Sequence, residues 1–235
     1  MGLFDRSTSM SRKLALFDLD NTLLAGDSDH AWGEFLIDKG LVDAEKHRAS
    51  NDAFYQSYVE ARLDIDAYVA FTMGPVVALS AAEQCQLREE YFDNRIRGLM
   101  SPASIELFNS HKKAGDYCLI ITATNSFLTS PIAAAYGADL LIATDLHYED
   151  GRATGRIKGT PCYQQGKVTR LQDWLAAAPV AEEDGLSLQN SIFYSDSSND
   201  LPLLEKVSEA IAVDADEKLE QIACDRNWKR ISLRT

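Results

Sequence analysis

LALFDLDNTLLAGDSD, residues 14–29, places Asp18 and Asp20 one residue apart directly after an apolar run, with Asp27 and Asp29 following almost at once. KLALF, residues 13–17, is short, apolar and without alternation, as expected of a strand buried on both faces of a parallel sheet. A strand that ends on two carboxylates sets the question of what neutralises them.

Downstream, the pattern turns helical for about seventy residues. SDHAWGEFLIDKG (28–40) ends in a glycine, DIDAYVAFTM (64–73) repeats apolar residues three and four apart, and SAAEQ (80–84) resembles a capping box through Ser80 and Glu83. No convincing strand interrupts residues 26–97, which we read as an all-helical insert between two parts of a core, 1–25 and 98–235.

Beyond the insert, strands and helices alternate. SPASIELFNSHKKAG (101–115) carries Ser101 as N-cap, Pro102 at the first helical position and Gly115 past the end. DYCLIIT follows as a strand ending at Thr122, and TSPIAAAYG (129–137) repeats the Ser-Pro…Gly punctuation through Ser130, Pro131 and Gly137. ADLLIAT is a further strand, and LHYEDGRATGRI (146–157) is a hairpin turning at Asp150 and Gly151. A helix from Lys167 to Ala178, the strand SIFYS before Asp196, and EAIAV and WKRISL around the helical ADEKLEQIACDR complete the series. This order predicts an α/β fold, a doubly wound parallel sheet with right-handed crossovers and ligands at the carboxyl ends of its strands.

Those ends gather Asp18 with Asp20, Thr122 with Thr124 and Asn125, and Asp196 with Asp200 at one edge. Three carboxylates there repel one another and are costly to desolvate unless a cation neutralises them. Oxygen ligands without His or Cys suit magnesium, which keeps several waters and shares its remaining positions with a substrate phosphate. The Thr122 hydroxyl and the adjacent backbone N–H groups, Ala123 included, can hold phosphate oxygens, and Lys167 near a helix start adds positive charge.

The net charge of −13 over 235 residues argues against a surface that tracks nucleic-acid phosphates. Cys85, Cys118, Cys162 and Cys224 lie far apart with no zinc or redox spacing. The polar opening MGLFDRSTSMSRK has no leader-like apolar core, and no run approaches the ~18 apolar residues of a membrane span. A cytoplasmic protein acting on a small molecule is expected, with neither membrane nor nucleic acid as partner.

DLDNT, Thr122 after an apolar strand, Lys167, and SDSSND (195–200) come in the order of the four motifs of the haloacid dehalogenase superfamily, and the chain resembles its phosphatase branch. The helical insert after the first motif resembles the type C1 cap of the phosphoserine-phosphatase-like subclass, and EDGRATGRI followed by GK resembles a stretch this subclass carries before its motif lysine. The resemblance runs from Leu14 to about Val213. It implies an aspartyl-phosphate mechanism with Asp18 as nucleophile and Asp20 as general acid and then base. It further implies Mg2+ held by the Asp18 carboxylate, the Asp20 backbone carbonyl and Asp196, with Asp200 and Asn199 behind them and Thr122, Ala123 and Lys167 on the phosphoryl group.

A calcium loop starting at Asp18 would need Gly at position six and Glu at twelve, where Leu23 and Asp29 stand. A receiver-type phosphorylation switch also uses acids, a Thr and a Lys at strand ends, but needs no seventy-residue insert; repeated phosphate release separates the two. The aromatics of FYQSYVEARLDIDAYVAF read as core of the insert. His47, His111 and His147 read as packing or surface residues, while His30, three residues after Asp27, is a candidate substrate contact.

Phosphoserine phosphatases carry Glu nine positions after the nucleophile to hold the substrate ammonium, and Asp27 stands there in this chain. They also use a cap Arg for the carboxylate, and Arg62 is at a comparable distance. LALFDLDNTLLAGDSDHAWGEF is more similar to a bacterial branch of the subclass that includes histidinol-phosphate phosphatases. Histidinol phosphate has an amine for Asp27 or Asp29 and no carboxylate. It is the first expected substrate; phosphoserine, or a broad set of small phosphomonoesters, is the alternative.

Overall fold

The computed structural model describes residues 12–234; the first eleven residues of the polar opening segment read above lie outside them. Strands β1 (Leu14–Phe17), β2 (Tyr117–Asn125), β3 (Leu140–Thr144), β6 (Ser191–Ser195), β7 (Glu209–Val213) and β8 (Lys229–Ile231) form a six-stranded sheet in the order β3-β2-β1-β6-β7-β8. Every pairing in it is parallel. Strand order reverses direction at β1, so the cleft for a ligand opens beside the end of that strand.

Both faces of the sheet are covered, which is why the strands read as unbroken apolar runs. Ala15, Phe17, Cys118, Ile120, Ile192 and Tyr194 pack in one apolar layer, and Leu14, Leu16, Leu119, Ile121 and Phe193 in the other. Around them lie α5 (Pro102–Ala114), α6 (Ser126–Tyr136), α7 (Gln165–Ala177), α8 (Pro179–Glu183), α9 (Leu201–Leu204) and α10 (Glu217–Asp225). Ser101 caps α5 and Gly115 ends it with φ 85°, as the sequence predicts.

One helix start differs from expectation. Asn125, at the end of β2, caps α6 by accepting from Leu128 N at 3.2 Å, so the helix begins at Ser126 and Pro131 lies inside it. The strand runs straight into the helix without a loop. Ser130 therefore has no cap to supply, and its hydroxyl bonds back to Ser126 O at 2.5 Å.

Between β1 and β2 stand α1 (Ser28–Asp38), α2 (Ala44–Val59), α3 (Ile65–Met73) and α4 (Ala81–Tyr91). Asp27, Asp43, Asp64 and Ser80 cap them in turn, the last with a complete capping box through Glu83. Fully buried Trp32 ties the group together: its indole donates to Thr72 O at 2.9 Å, and its ring meets Tyr91 edge-on at 5.1 Å and Phe127 of α6 at 6.2 Å. The hairpin β4 (Leu146–Glu149) and β5 (Arg152–Ile157) turns through Asp150 (φ 49°) and Gly151 (φ 78°), the positive-φ pair a two-residue hairpin requires. Gln84 of α4 binds it by accepting from Ala153 N and donating to Ala153 O.

The cysteines are free, Cys118 and Cys162 being buried. No single helix among the described residues is long and apolar enough to cross a membrane.

Candidate active site

After β1 the chain makes a wide turn, Leu19–Leu23, closed by Leu24 N donating to Leu19 O at 2.9 Å. Asn21 takes φ 54° within it, and the Arg234 guanidinium donates to the carbonyls of Asn21 and Leu24, fixing the turn from the far end of the chain. Asp18 is thereby held against the sheet, its N–H donating to Tyr194 O of β6 at 2.9 Å.

Asp18, Asp200 and Lys167 form one buried group. Lys167 Nζ donates to Asp18 Oδ1 at 2.7 Å and Asp200 Oδ2 at 2.8 Å, and the Ser195 hydroxyl adds a 2.7 Å bond to Asp200 Oδ2. Lys167 can reach this depth because α7 starts against the preceding loop: a Cβ on Gly166 would lie 2.0 Å from Pro161 O, so only glycine fits there. Burial opposes the ammonium, and the charges of Asp18 and Asp200 outweigh it, raising the Lys167 pKa. Asp200 is pushed up to about 6, by burial above all, against the pull of Lys167.

Asp196 sits beside Asp18. The Thr22 hydroxyl lies 2.9 Å from Asp196 Oδ1 and 3.4 Å from Asp18 Oδ2, and it also accepts from Asp196 N at 2.9 Å. Burial, and then the Asp18 charge, raise the Asp196 carboxyl well above its usual range. Asp18 is likewise raised by burial, with Lys167 opposing. Three acids against one ammonium leave the site short of positive charge.

That shortage is the fit test for a divalent cation. Asp18 and Asp196 present hard oxygens side by side, with the Asp20 backbone two residues along from Asp18. Among the described residues no three His, Cys, Asp or Glu side chains converge into a ready-made cage. Two carboxylates, a carbonyl and waters suit Mg2+, which dehydrates reluctantly.

Asp20 occupies different surroundings. Its Oδ1 accepts from Ser28 N at 2.6 Å and its Oδ2 from Thr124 Oγ1 at 2.8 Å. Burial and then the Asp27 charge push its carboxyl up to about 6. Burial raises both carboxyls of the DxD pair, but their partners differ: Asp18 is paired with an ammonium, and Asp20 with neutral donors.

These residues open on a cleft of about 990 Å³, lined by Asp18, Asp20, Thr122, Ala123, Lys167, Asp196, Asn199 and Asp200 on the sheet side. Asp27, His30, Asn51, Phe54, Tyr55, Tyr58 and Tyr68 line it from the helices. Every site residue read from the sequence is thus on the cleft except Arg62. Arg62 lies in the turn after α2, its side chain 71% exposed and paired with Glu60. Asn199 turns away from the carboxylates: it donates to Tyr58 O at 3.2 Å and accepts from Gln164 at 2.9 Å, joining α2 to the start of α7.

Of the aromatics read as core of the helical insert, Phe54, Tyr55, Tyr58 and Tyr68 line the cleft; Phe54 and Tyr68 also pack on Phe71, which stacks on His47 at 4.6 Å and does not line the cleft. The sequence reading gave no role to Thr22, Thr124, Ser195 or Ser197. Ser197 accepts from the Tyr58 hydroxyl at 3.0 Å. For three of these four, the available signal is a hydroxyl at or just past the carboxyl end of β2 or β6.

A doubly wound parallel sheet with acids after β1 and β6 and a lysine at a helix start defines a class of phosphoryl-handling hydrolases. The chain belongs to the haloacid dehalogenase-like hydrolase family, whose profile matches residues 15–205. It is 44% identical over 221 residues to a histidinol-phosphatase of Neisseria meningitidis, spanning 92% of this chain and 97% of that one. A phosphoserine phosphatase of Mycobacterium tuberculosis is 31% identical, over 92% of this chain and 69% of its own length. Among solved structures, a protein of unknown function from Bordetella pertussis Tohama I superposes with a TM-score of 0.85 at 43% identity, over 95% of this chain and 99% of that one. A substrate-bound phosphoserine phosphatase shares the fold, with a TM-score of 0.68 at 16% identity over 95% and 93% of the two chains. The chain is a phosphatase of this family.

Proposed function

We propose that the enzyme is a Mg2+-dependent phosphatase of a small amino-bearing phosphomonoester, histidinol phosphate first, acting through an aspartyl-phosphate on Asp18. The observation that carries this reading is the contrast across one cleft: Asp18, Lys167 and Asp200 in contact at the sheet edge, facing Asp27 and four aromatic side chains on the helices.

Asp18 Oδ attacks phosphorus in line as the bond to the leaving oxygen breaks, and Asp20 gives that oxygen its proton so that the alcohol departs neutral. Asp20 then takes a proton from the water that attacks phosphorus, and the Asp18–phosphorus bond breaks to release inorganic phosphate. Thr122, the Ala123 N–H and Lys167 hold the equatorial oxygens, where charge accumulates. Asp18, Asp196 and the Asp20 carbonyl would hold Mg2+, which when bound neutralises the acids and polarises the phosphoryl group.

In this reading residues 26–97 act as a C1-type cap over a core of 1–25 and 98–235, and the setting is cytoplasmic. Asp27 receives the substrate amine, with His30 beside it. The relative named histidinol-phosphatase supports this choice over phosphoserine. So does the cleft lining, where the basic side chains are Lys167, Lys218 and His30 and Arg62 has no place. Phosphate release is to be assayed with Mg2+ against histidinol phosphate, phosphoserine and amine-free alkyl phosphates. Preference for histidinol phosphate is expected; preference for phosphoserine would move the assignment, and no release from any monoester would end it.

A further inference from the structure

The Thr124 hydroxyl stands between two carboxyls, 2.8 Å from Asp20 Oδ2 and 3.0 Å from Asp29 Oδ2. A hydroxyl has one proton, so it can donate to only one of them. The other carboxyl either brings a proton of its own or meets Thr124 acceptor to acceptor.

Asp29 is the one suited to donate. It is 7% exposed, and its Oδ1 has no hydrogen-bond partner. As a carboxylate it would be a buried charge with one oxygen unpaired; as the acid it donates through Oδ2 and leaves only a carbonyl-type oxygen unpaired, a much smaller cost. The titratable groups facing it are Asp20 on the turn after β1, Asp27 at the start of its own helix, Tyr68 on α3, whose hydroxyl hydrogen-bonds the Asp29 carboxyl, and Tyr91 at the end of α4. None of these supplies a positive charge.

We infer that Asp29 is a positioning residue for Asp20: as the neutral acid it donates to Thr124 Oγ1, which directs the single Thr124 proton at Asp20 Oδ2. With Ser28 N on Oδ1, both Asp20 oxygens are then held, and each keeps a lone pair free for the proton that moves in catalysis. Burial, and then the charges of Asp27 and Asp20, raise the Asp29 carboxyl well above its usual range, in keeping with this arrangement. The inference rests on the reading of Asp20 as general acid.

The test compares kcat/KM, which reports the half-reaction that expels the leaving group, for two esters. One is an alkyl phosphate that the unmodified enzyme turns over; the other is p-nitrophenyl phosphate, whose leaving group departs without a proton. Thr124→Val and Asp29→Leu are expected to lower kcat/KM for the alkyl ester about tenfold to a hundredfold, part of the ~10²–10⁴ that acid–base catalysis supplies, with a much smaller loss on the nitrophenyl ester. Thr124→Ser should rescue the alkyl ester. Asp29→Asn removes no charge from a neutral acid, so the pH at which kcat/KM declines on the alkaline side should stay in place.

Equal losses on both esters in Thr124→Val, or a downward move of that alkaline decline in Asp29→Asn, would overturn the inference. Asp20→Asn distinguishes a failure of the general-acid role from a failure of the Asp29 role alone. If it loses both esters equally, the general-acid reading fails and takes the inference with it. If it loses the alkyl ester selectively while the Thr124 and Asp29 variants do not, the inference fails alone.

Discussion

Lys167 Nζ lies 2.7 Å from Asp18 Oδ1, with 4% and 9% of the two side chains exposed. A pair this deep tolerates the loss of one partner badly, because the remaining charges are stranded. Lys167→Met is expected to lose about 3–5 kcal/mol in urea unfolding near neutral pH. The loss should shrink at acid pH, where Asp18 and Asp200 take up protons. Turnover should fall by ~10² or more, as for removal of other groups that stabilise transition-state charge. A variant as stable as the parent at pH 7 would show that the pair does not hold the site together.

Asp18→Asn should end turnover and phosphoenzyme formation while leaving the fold intact. The change keeps the shape of the side chain, removes one of the acids competing for Lys167, and leaves Asp200 as its partner. Acid-quenched mass spectrometry reads the phosphoenzyme directly. Retained turnover would refute the nucleophile assignment.

Mg2+ should stabilise as well as activate, since Asp18 and Asp196 repel each other across Thr22. At a hundred times its Kd, a ligand bound only by the folded state adds about 2.7 kcal/mol. For a domain of this size that is an upward shift in Tm of about 5–10 °C. EDTA should abolish both the shift and the activity, and Asp196→Asn should blunt both. Indifference to chelation would remove the metal from the account.

Asp27 tests the substrate choice. Its carboxylate accepts from His30 N at 2.8 Å as the cap of α1, a role Asn also fills. Asp27→Asn should therefore fold normally, raise KM about tenfold or more for an amine-bearing ester, and leave an amine-free alkyl ester little changed; tenfold corresponds to ~1.4 kcal/mol. Equal effects on both would place the amine elsewhere.

How much of this was legible in the sequence follows from which signals are local. Asp18 and Asp196 could be placed because each directly follows an apolar strand, and parallel strands put their ends on one edge; Thr122 could be placed because the apolar run ends there, although β2 itself continues to Asn125 before turning into α6. The start of α6 could not, since Ser130-Pro131 imitates a cap and only the tertiary course of β2 shows that Asn125 already serves. Periodicity located an apolar face on α2 and α3 but could not tell whether Phe54, Tyr58 and Tyr68 met a core or a cavity. Arg62 failed for a related reason: the turn between α2 and α3 directs it to solvent, which spacing along the chain does not encode. The Asp20–Thr124–Asp29 contact joins three separate segments and leaves no trace in any one of them.

Asp29 also makes a prediction about stability. An aspartate in the unfolded chain loses its proton near pH 3.9, whereas the buried Asp29 carboxyl is raised well above that. Between those two values the folded state holds one more proton than the unfolded state. Stability then falls as pH rises, by about 1.4 kcal/mol per pH unit for this one group, until pH passes the folded pKa. Asp29→Asn has no proton to lose and removes that slope. Its stability relative to the parent should thus increase from pH 5 to pH 7, by up to about 2.7 kcal/mol if Asp29 stays protonated throughout. Urea unfolding of both proteins at each pH, in the same salt and without Mg2+, measures the difference. A difference that does not change with pH would mean that Asp29 is ionised in the folded protein, and that Thr124 has its proton to share between two charges.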